Sequence, residues 1–173
     1  MSSRPSPRPA AAARPMEEPR TIRDLLSYRI HRLANALSRG AALRYRAEFG
    51  VSLMEWRILA LLGAFQPMTL KRLAREAGID KSQASRAVGG LVARGLVQRL
   101  PGENDGREVS LRLSPEGERL QRGLMRAARE RDAAFRAALG EAERAMFEAA
   151  LDRLEAEARR LAGMPTAPRR GRE

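Results

Sequence analysis

The segment 69–113 is punctuated more tightly than the rest of the chain, and that punctuation leaves few folds open. Thr69 stands where an N-cap belongs, ahead of a short helix over 70–77 that Gly78 closes. Asp80 and Gln83 then sit at capping-box spacing, and Ala84, Val88, Leu91 and Val92 share one face of a helix over 80–94 that stops at Gly95. Past Gly95 the period changes. Residues 96–100 (LVQRL) read as a short strand, and 101–106 (PGENDG) are dense in turn formers. Val109, Leu111 and Leu113 alternate with Ser110 and Arg112, as a half-buried strand requires. The two strands around such a loop make a hairpin.

Longer helical patterns flank this segment. Ile22, Leu26, Ile30, Leu33, Leu37 and Ala41 form an apolar stripe in a helix over 21–48 that Gly50 ends. Ser52 with Glu55 caps a helix over 53–62, and Gly63 and Pro67 mark its break. Ser114 and Pro115 open a helix that runs to about 139. Gly140 interrupts it, and a last helix covers 141–161 with Met146, Ala150, Leu154 and Leu161 among its apolar positions. The ends, 1–20 and 163–173, are rich in Pro, Arg, Ser and Ala without period and read as disordered tails. The chain thus divides into a tail (1–20), an N-terminal helix (21–50), a compact lobe (51–113), C-terminal helices (114–162) and a second tail (163–173). There is no internal repeat.

Three short helices followed by a hairpin are the parts of a winged helix-turn-helix, so the expected fold is mainly α with a small β-hairpin wing. In the helix over 80–94 the apolar face can pack inward. Lys81, Ser82, Gln83, Ser85 and Arg86 then gather near its N-terminus, away from that core. A solvated face has no need of small hydrogen-bonding residues there. A face that enters a groove does: Gln bonds adenine bidentately, Arg bonds guanine, and Ser and Lys suit phosphates. Gly89 and Gly90 cost about 1 kcal/mol each against Ala in a helix interior. Close approach of another backbone would account for them.

Charge agrees. The chain carries 33 basic and 21 acidic residues, a net +12. Seven Arg and three Glu lie in the tails, so 26 basic and 18 acidic residues, a net +8, remain in the body. Such an excess favours polyanionic partners, nucleic acid above all. Nearly all the basic residues are Arg, Lys71 and Lys81 being the only lysines, so a coding bias is the competing explanation. The absence of Cys excludes disulfides, thiol redox sensing and thiolate-bound zinc. With His31 as the single histidine, no multi-His metal site can form, although an all-carboxylate one can. His31 lies within a long helix, far from any nucleophile turn, and no phosphate-binding glycine motif is present. No enzymatic activity and no cofactor are expected. No run approaches a membrane span and the N-terminus lacks a secretory apolar stretch, so the expected location is the cytoplasm.

GIDKSQASRAVGGLVARGLVQR, followed by NDGREVSLRLSPEGERL, resembles the multiple antibiotic resistance regulator (MarR) family. The resemblance spans 21–162 and is most specific over 69–117. It implies a DNA-binding transcriptional regulator, by the family's habit a repressor, whose first helix and last two helices interlock in a homodimer. The alternative is that these helices fold back on their own lobe. Two reading helices about 34 Å apart would meet successive major grooves of a pseudo-palindrome. Asp105-x-Arg107 matches the family's wing and implies that Arg107 enters the minor groove with Asp105 holding its guanidinium. The residues alone equally allow a surface ion pair. A winged helix serving as a protein-interaction module is the other class of reading.

Many members of the family take small aromatic anions between the dimer helices and the DNA-binding lobe. Tyr28, His31, Tyr45, Met54, Trp56 and Arg57 are the candidate lining residues here. Trp56 and the tyrosines can stack on a ring, and His31 or Arg57 can pair with a carboxylate. Plain core packing is the competing role for Trp56, and a bond to a backbone carbonyl the competing role for His31. A hydroxybenzoate- or hydroxynicotinate-like acid is the first expectation, and an aromatic acyl-CoA thioester the second. Thiol-based oxidant sensing is excluded by the lack of Cys.

Overall fold

The computed structural model describes residues 18, 20–101 and 109–163. Its helices are α1 (Leu26–Phe49), α2 (Leu53–Phe65), α3 (Leu70–Ala77), α4 (Lys81–Ala93), α5 (Pro115–Ala137) and α6 (Glu141–Leu161). Its strands are β1 (Met68–Thr69), β2 (Val97–Pro101) and β3 (Val109–Leu113). They form one antiparallel sheet in the order β1-β3-β2, with Val97 opposite Leu113 and Met68 opposite Leu111. The fold is the expected one, mainly helical with a small sheet. Asp105 and Arg107, and both tails apart from Glu18, Arg20 and Gly163, lie outside the described residues.

The local signals for helix starts are realised as bonds. Ser52 and Glu55 cap α2 reciprocally, with Glu55 N donating to Ser52 Oγ at 3.2 Å and Ser52 N to Glu55 Oε2 at 2.7 Å. Thr69 Oγ1 accepts from Arg72 N, Asp80 Oδ1 from Gln83 N, and Ser114 Oγ from Gly117 N. Each satisfies a backbone donor that the first helical turn leaves open.

Four boundaries differ from expectation, each for a local reason. The first helix does not begin at Thr21. That residue and Asp24 close a separate 3-10 turn, Ile22–Asp24, after which Leu25 is extended. Helix α2 runs through Gly63 to Phe65, and the next residue, Gln66, takes the extended backbone that a following proline favours. Leu96 belongs to the end of α4 rather than to β2. Gly95 takes φ +68°, and Leu96 N turns back to the carbonyl of Leu91 at 2.9 Å, closing the helix in a Schellman-type cap. The short β1 pairs with β3 and adds a third strand to the expected hairpin.

The core is formed by Tyr45, Ile58, Leu59, Leu62, Met68, Leu73, Val88, Leu91, Leu111, Leu113 and Leu124 with their neighbours. Burying a side chain such as Leu91 or Leu124 contributes about 1.5–3 kcal/mol. The expected stripes of α1 and α6 behave otherwise. Ala41 is buried, but Leu26, Ile30 and Leu33 are exposed, as are Met146, Phe147, Leu151 and Leu154. No residue of α6 is buried.

Candidate nucleic-acid interface

Helices α3 and α4 form the helix-turn-helix. Ala84, Val88 and Leu91 are buried, and Val92 is partly so, which fixes the rotation of α4 about its own axis. Lys81, Ser82, Gln83, Ser85 and Arg86 therefore face outward together at its N-terminal end, and all five are exposed. Asp80 accepts from Gln83 N at 2.7 Å, so the cap itself orders the turn that carries three of them. The Gln83 amide has no intrachain partner among the described residues, which leaves its donor and acceptor pair available.

The surrounding surface is basic. On α3 Lys71, Arg72 and Arg75 are exposed; Arg72 lies 6.0 Å over the Phe65 ring and Arg75 pairs with Glu76 at 3.3 Å. On the sheet Arg99 and Arg112 are exposed. The arrangement can bind a duplex by cations to phosphate and by Gln83 and Arg86 to base edges.

Helix α4 stands on a braced base. Arg94 Nη1 donates to Glu55 Oε1 at 3.0 Å, linking the end of α4 to the start of α2. Burial pushes the Glu55 carboxyl up, but the Ser52 amide and hydroxyl and the Arg94 guanidinium outweigh it and hold the group below the usual carboxylate range. On the opposite side Ser114 Oγ donates to the Gly95 carbonyl at 2.6 Å, and Ser114 N donates to the Leu96 carbonyl at 3.0 Å. A Cβ on Gly117 would overlap that same Leu96 carbonyl, so α5 starts pressed against the end of α4. Gly89 and Gly90 meet no such neighbour: among the described residues, nothing beyond the adjoining residues and the helix's own backbone lies within 4 Å of a Cβ at either. Among the described residues of this chain, the close backbone approach lies at Gly117 and not at Gly89 or Gly90.

The residues expected to line an effector site fall into two groups. Tyr45 and Trp56 pack as a tilted pair with ring centroids 5.2 Å apart, and the Arg131 guanidinium lies 6.0 Å over the Tyr45 ring. Tyr45 is buried in the core, whereas Met54 and Trp56 are partly buried and Arg57 is exposed. Tyr28 and His31 lie elsewhere. His31 is fourteen residues before Tyr45 on the same helix, a separation of about 21 Å, and its Nε2 is 2.8 Å from Asn35 Nδ2. One chain does not bring the six residues together. A concavity of about 650 Å³ opens instead between α2 and α5, floored by Ala60, Gly63, Ala64 and Met125 and rimmed by Arg122, Arg126 and Arg129. Sequence reasoning missed it because its lining comes from two helices, α2 and α5, that are far apart in the chain.

Two arginines fasten α1 to α5. Arg44 donates to Glu48, Glu130 and the Ala127 carbonyl, and Arg131 donates to the Leu37 carbonyl at 2.9 Å. The acids beside Arg44 raise its already high pKa. Among the described residues there is no cluster of metal-ligating side chains and no helix long and apolar enough to cross a membrane.

Comparison with known proteins places this geometry. Residues 49–108 match the sequence model of the MarR family. None of the curated proteins compared matches the chain. Among solved structures, a MarR/EmrR family transcriptional regulator from Acinetobacter sp. ADP1 is similar at TM-score 0.71 and 25% identity, over 78% of this chain and 94% of that one. The PcaV transcriptional regulator from Streptomyces coelicolor, solved with its natural ligand, gives TM-score 0.64 and 25% identity over 77% of this chain and 93% of that one. The S. aureus MepR–DNA complex gives TM-score 0.72 at 18% identity, over 78% and 98%, a likeness of fold.

Proposed function

We propose that this chain, a MarR-family DNA-binding transcriptional regulator by its similarities, acts as a homodimeric repressor of a pseudo-palindromic operator, released by a small aromatic carboxylate. The observation that carries the reading is the outward set Lys81, Ser82, Gln83, Ser85 and Arg86 on a helix whose rotation the core fixes. Gln83 and Arg86 reach base edges in the major groove, and the α3 cations hold the flanking phosphates. Asp105 and Arg107, in the wing, take the adjoining minor groove, where a narrow A·T tract concentrates negative potential.

The dimer is supported by α6. An isolated amphipathic helix in water is marginal, and here a helix of 21 residues has no buried residue within its own chain. Its apolar residues, with Leu26, Ile30 and Leu33 of α1, are satisfied by the same helices of a second copy. That pairing sets the distance between the two reading helices, which must be about 34 Å for successive grooves.

The effector reading is supported by the Trp56–Tyr45 pair beside exposed Arg57, and by the arginine-rimmed concavity between α2 and α5. The PcaV regulator, of similar fold, was solved with a ligand. Tyr28 and His31 join Trp56 at one site only if a second chain supplies them. The effector works by binding one spacing of the reading helices better than the other.

Selection of duplexes from a random library by the full chain tests the proposal. Enrichment of a sequence with twofold-related halves is expected, and a library left unenriched overturns it. Hydroxybenzoates and aromatic acyl-CoA thioesters, added separately to the selected complex, test the effector class. Release by the free acid is expected; release by the thioester alone overturns the assignment to a carboxylate.

A further inference from the structure

Arg94 and Glu55 form the one side-chain ion pair that joins α4 to the rest of the lobe among the described residues. Lys81 and Arg86 have no acidic partner there, and the remaining side-chain bonds at the ends of α4 are the Asp80 cap and Ser114. Glu55 is shared between two tasks. Its Oε2 accepts from Ser52 N and completes the α2 cap, while its Oε1 accepts from Arg94 Nη1 at 3.0 Å. The pair also suits both helix dipoles, because the carboxylate lies at the N-terminal end of α2 and the guanidinium at the C-terminal end of α4.

The placement gives the pair leverage. At about 1.5 Å per residue, α4 is about 20 Å long, so a tilt of about 5° at Arg94 moves the first turn by about 2 Å. Base-edge recognition tolerates only about 0.5 Å. Ala84, Val88 and Leu91 hold the buried face of α4, while Gly89 and Gly90, with open space around them, add no side-chain contacts to it.

We infer that Glu55 and Arg94 are positioning residues for DNA recognition: the carboxylate of Glu55, fixed by the α2 cap, anchors the C-terminal end of α4 and so sets where Gln83 and Arg86 meet the bases. The inference rests on the DNA-binding reading above. Arg94 has a rival role. The Arg94 side chain is 40% exposed, against 20% for Glu55, so Arg94 is accessible enough to bind a phosphate directly.

The two roles predict opposite responses. The probes are the duplex that the full chain selects from a random library and a scrambled duplex of equal length. Glu55→Gln keeps an N3 residue able to cap Ser52 and removes the charge that holds Arg94. As a positioning pair, Glu55→Gln and Arg94→Gln each weaken binding to the selected duplex about tenfold, and the double variant loses no more than either single one. Binding to the scrambled duplex and the salt slope stay as in the wild type, and Arg94→Lys restores part of the discrimination. If Arg94 is instead a phosphate contact, Glu55→Gln frees it and tightens binding, and Arg94→Gln weakens both duplexes and lowers the salt slope by about one. That result overturns the inference, as do single variants that discriminate as well as the wild type. Wild-type protein that fails to discriminate the duplexes overturns the regulator reading, and the positioning role with it.

Discussion

The carbonyl oxygen of Leu96 occupies the space that a Cβ on Gly117 would need. The contact joins the turn after α4 to the first turn of α5, beside the Ser114 hydroxyl that bonds the Gly95 carbonyl. Backbone lies on both sides, so no side chain can swing away. Gly117→Ala should therefore destabilise the fold by about 1–3 kcal/mol, the usual range for overpacking. Thermal or urea unfolding checks this, and an unchanged midpoint contradicts the close approach.

Gly90 is the opposite case. It is exposed, sits inside α4, and a Cβ there meets nothing within 4 Å. Gly90→Ala should stabilise the free protein by about 1 kcal/mol through helix propensity alone. A fall in unfolding midpoint would contradict the open space around Gly90.

Much of the architecture was written locally in the chain. Ser52 with Glu55, Thr69, Asp80 and Ser114 announce helix starts because a cap needs one polar side chain at a fixed offset from an open amide. Gly50, Gly78 and Gly95 announce stops for the same short-range reason. The outward set on α4 was legible because its apolar residues recur at helical intervals. What could not be read was set at a distance. The two-residue β1 is too short to show a period and exists only because β3 pairs with it. Arg94 finds Glu55 across 39 positions, and Arg44 finds Glu130 across 86. Gly63 looked like a stop, yet α2 passes through it, since the helix end is decided by Pro67. Gly89 and Gly90 suggest a close approach of another backbone, and within this chain's described residues that contact lies at Gly117.

Removing a side chain proposed to read bases should cost specificity rather than folding. Gln83→Ala and Arg86→Ala each remove an exposed side chain, so unfolding midpoints should stay near wild type. Affinity for the selected duplex should fall by about 1–3 kcal/mol per residue, with the preference relaxed at the positions read. Arg107→Ala should weaken the same complex strongly without altering the oligomeric state. Unchanged titrations for all three would remove α4 and the wing from the interface.

Charge placed on the uncovered helix face should separate the subunits. Leu154→Glu or Leu33→Glu alters a residue that is exposed in the single chain. Sedimentation should then report a monomer, with a lowered unfolding midpoint, because α6 has no buried residue of its own to hold it. A variant that sediments as the wild type places the mutual surface elsewhere.

The most direct measurement is a titration of the full chain against its selected duplex and a scrambled one at about 150 mM salt, with stoichiometry read from the same experiment. Two chains per duplex, and an affinity for the selected sequence at least about a thousandfold above the scrambled one, are the predicted result. Equal affinity for both duplexes, or saturation at one chain per duplex, would contradict the account.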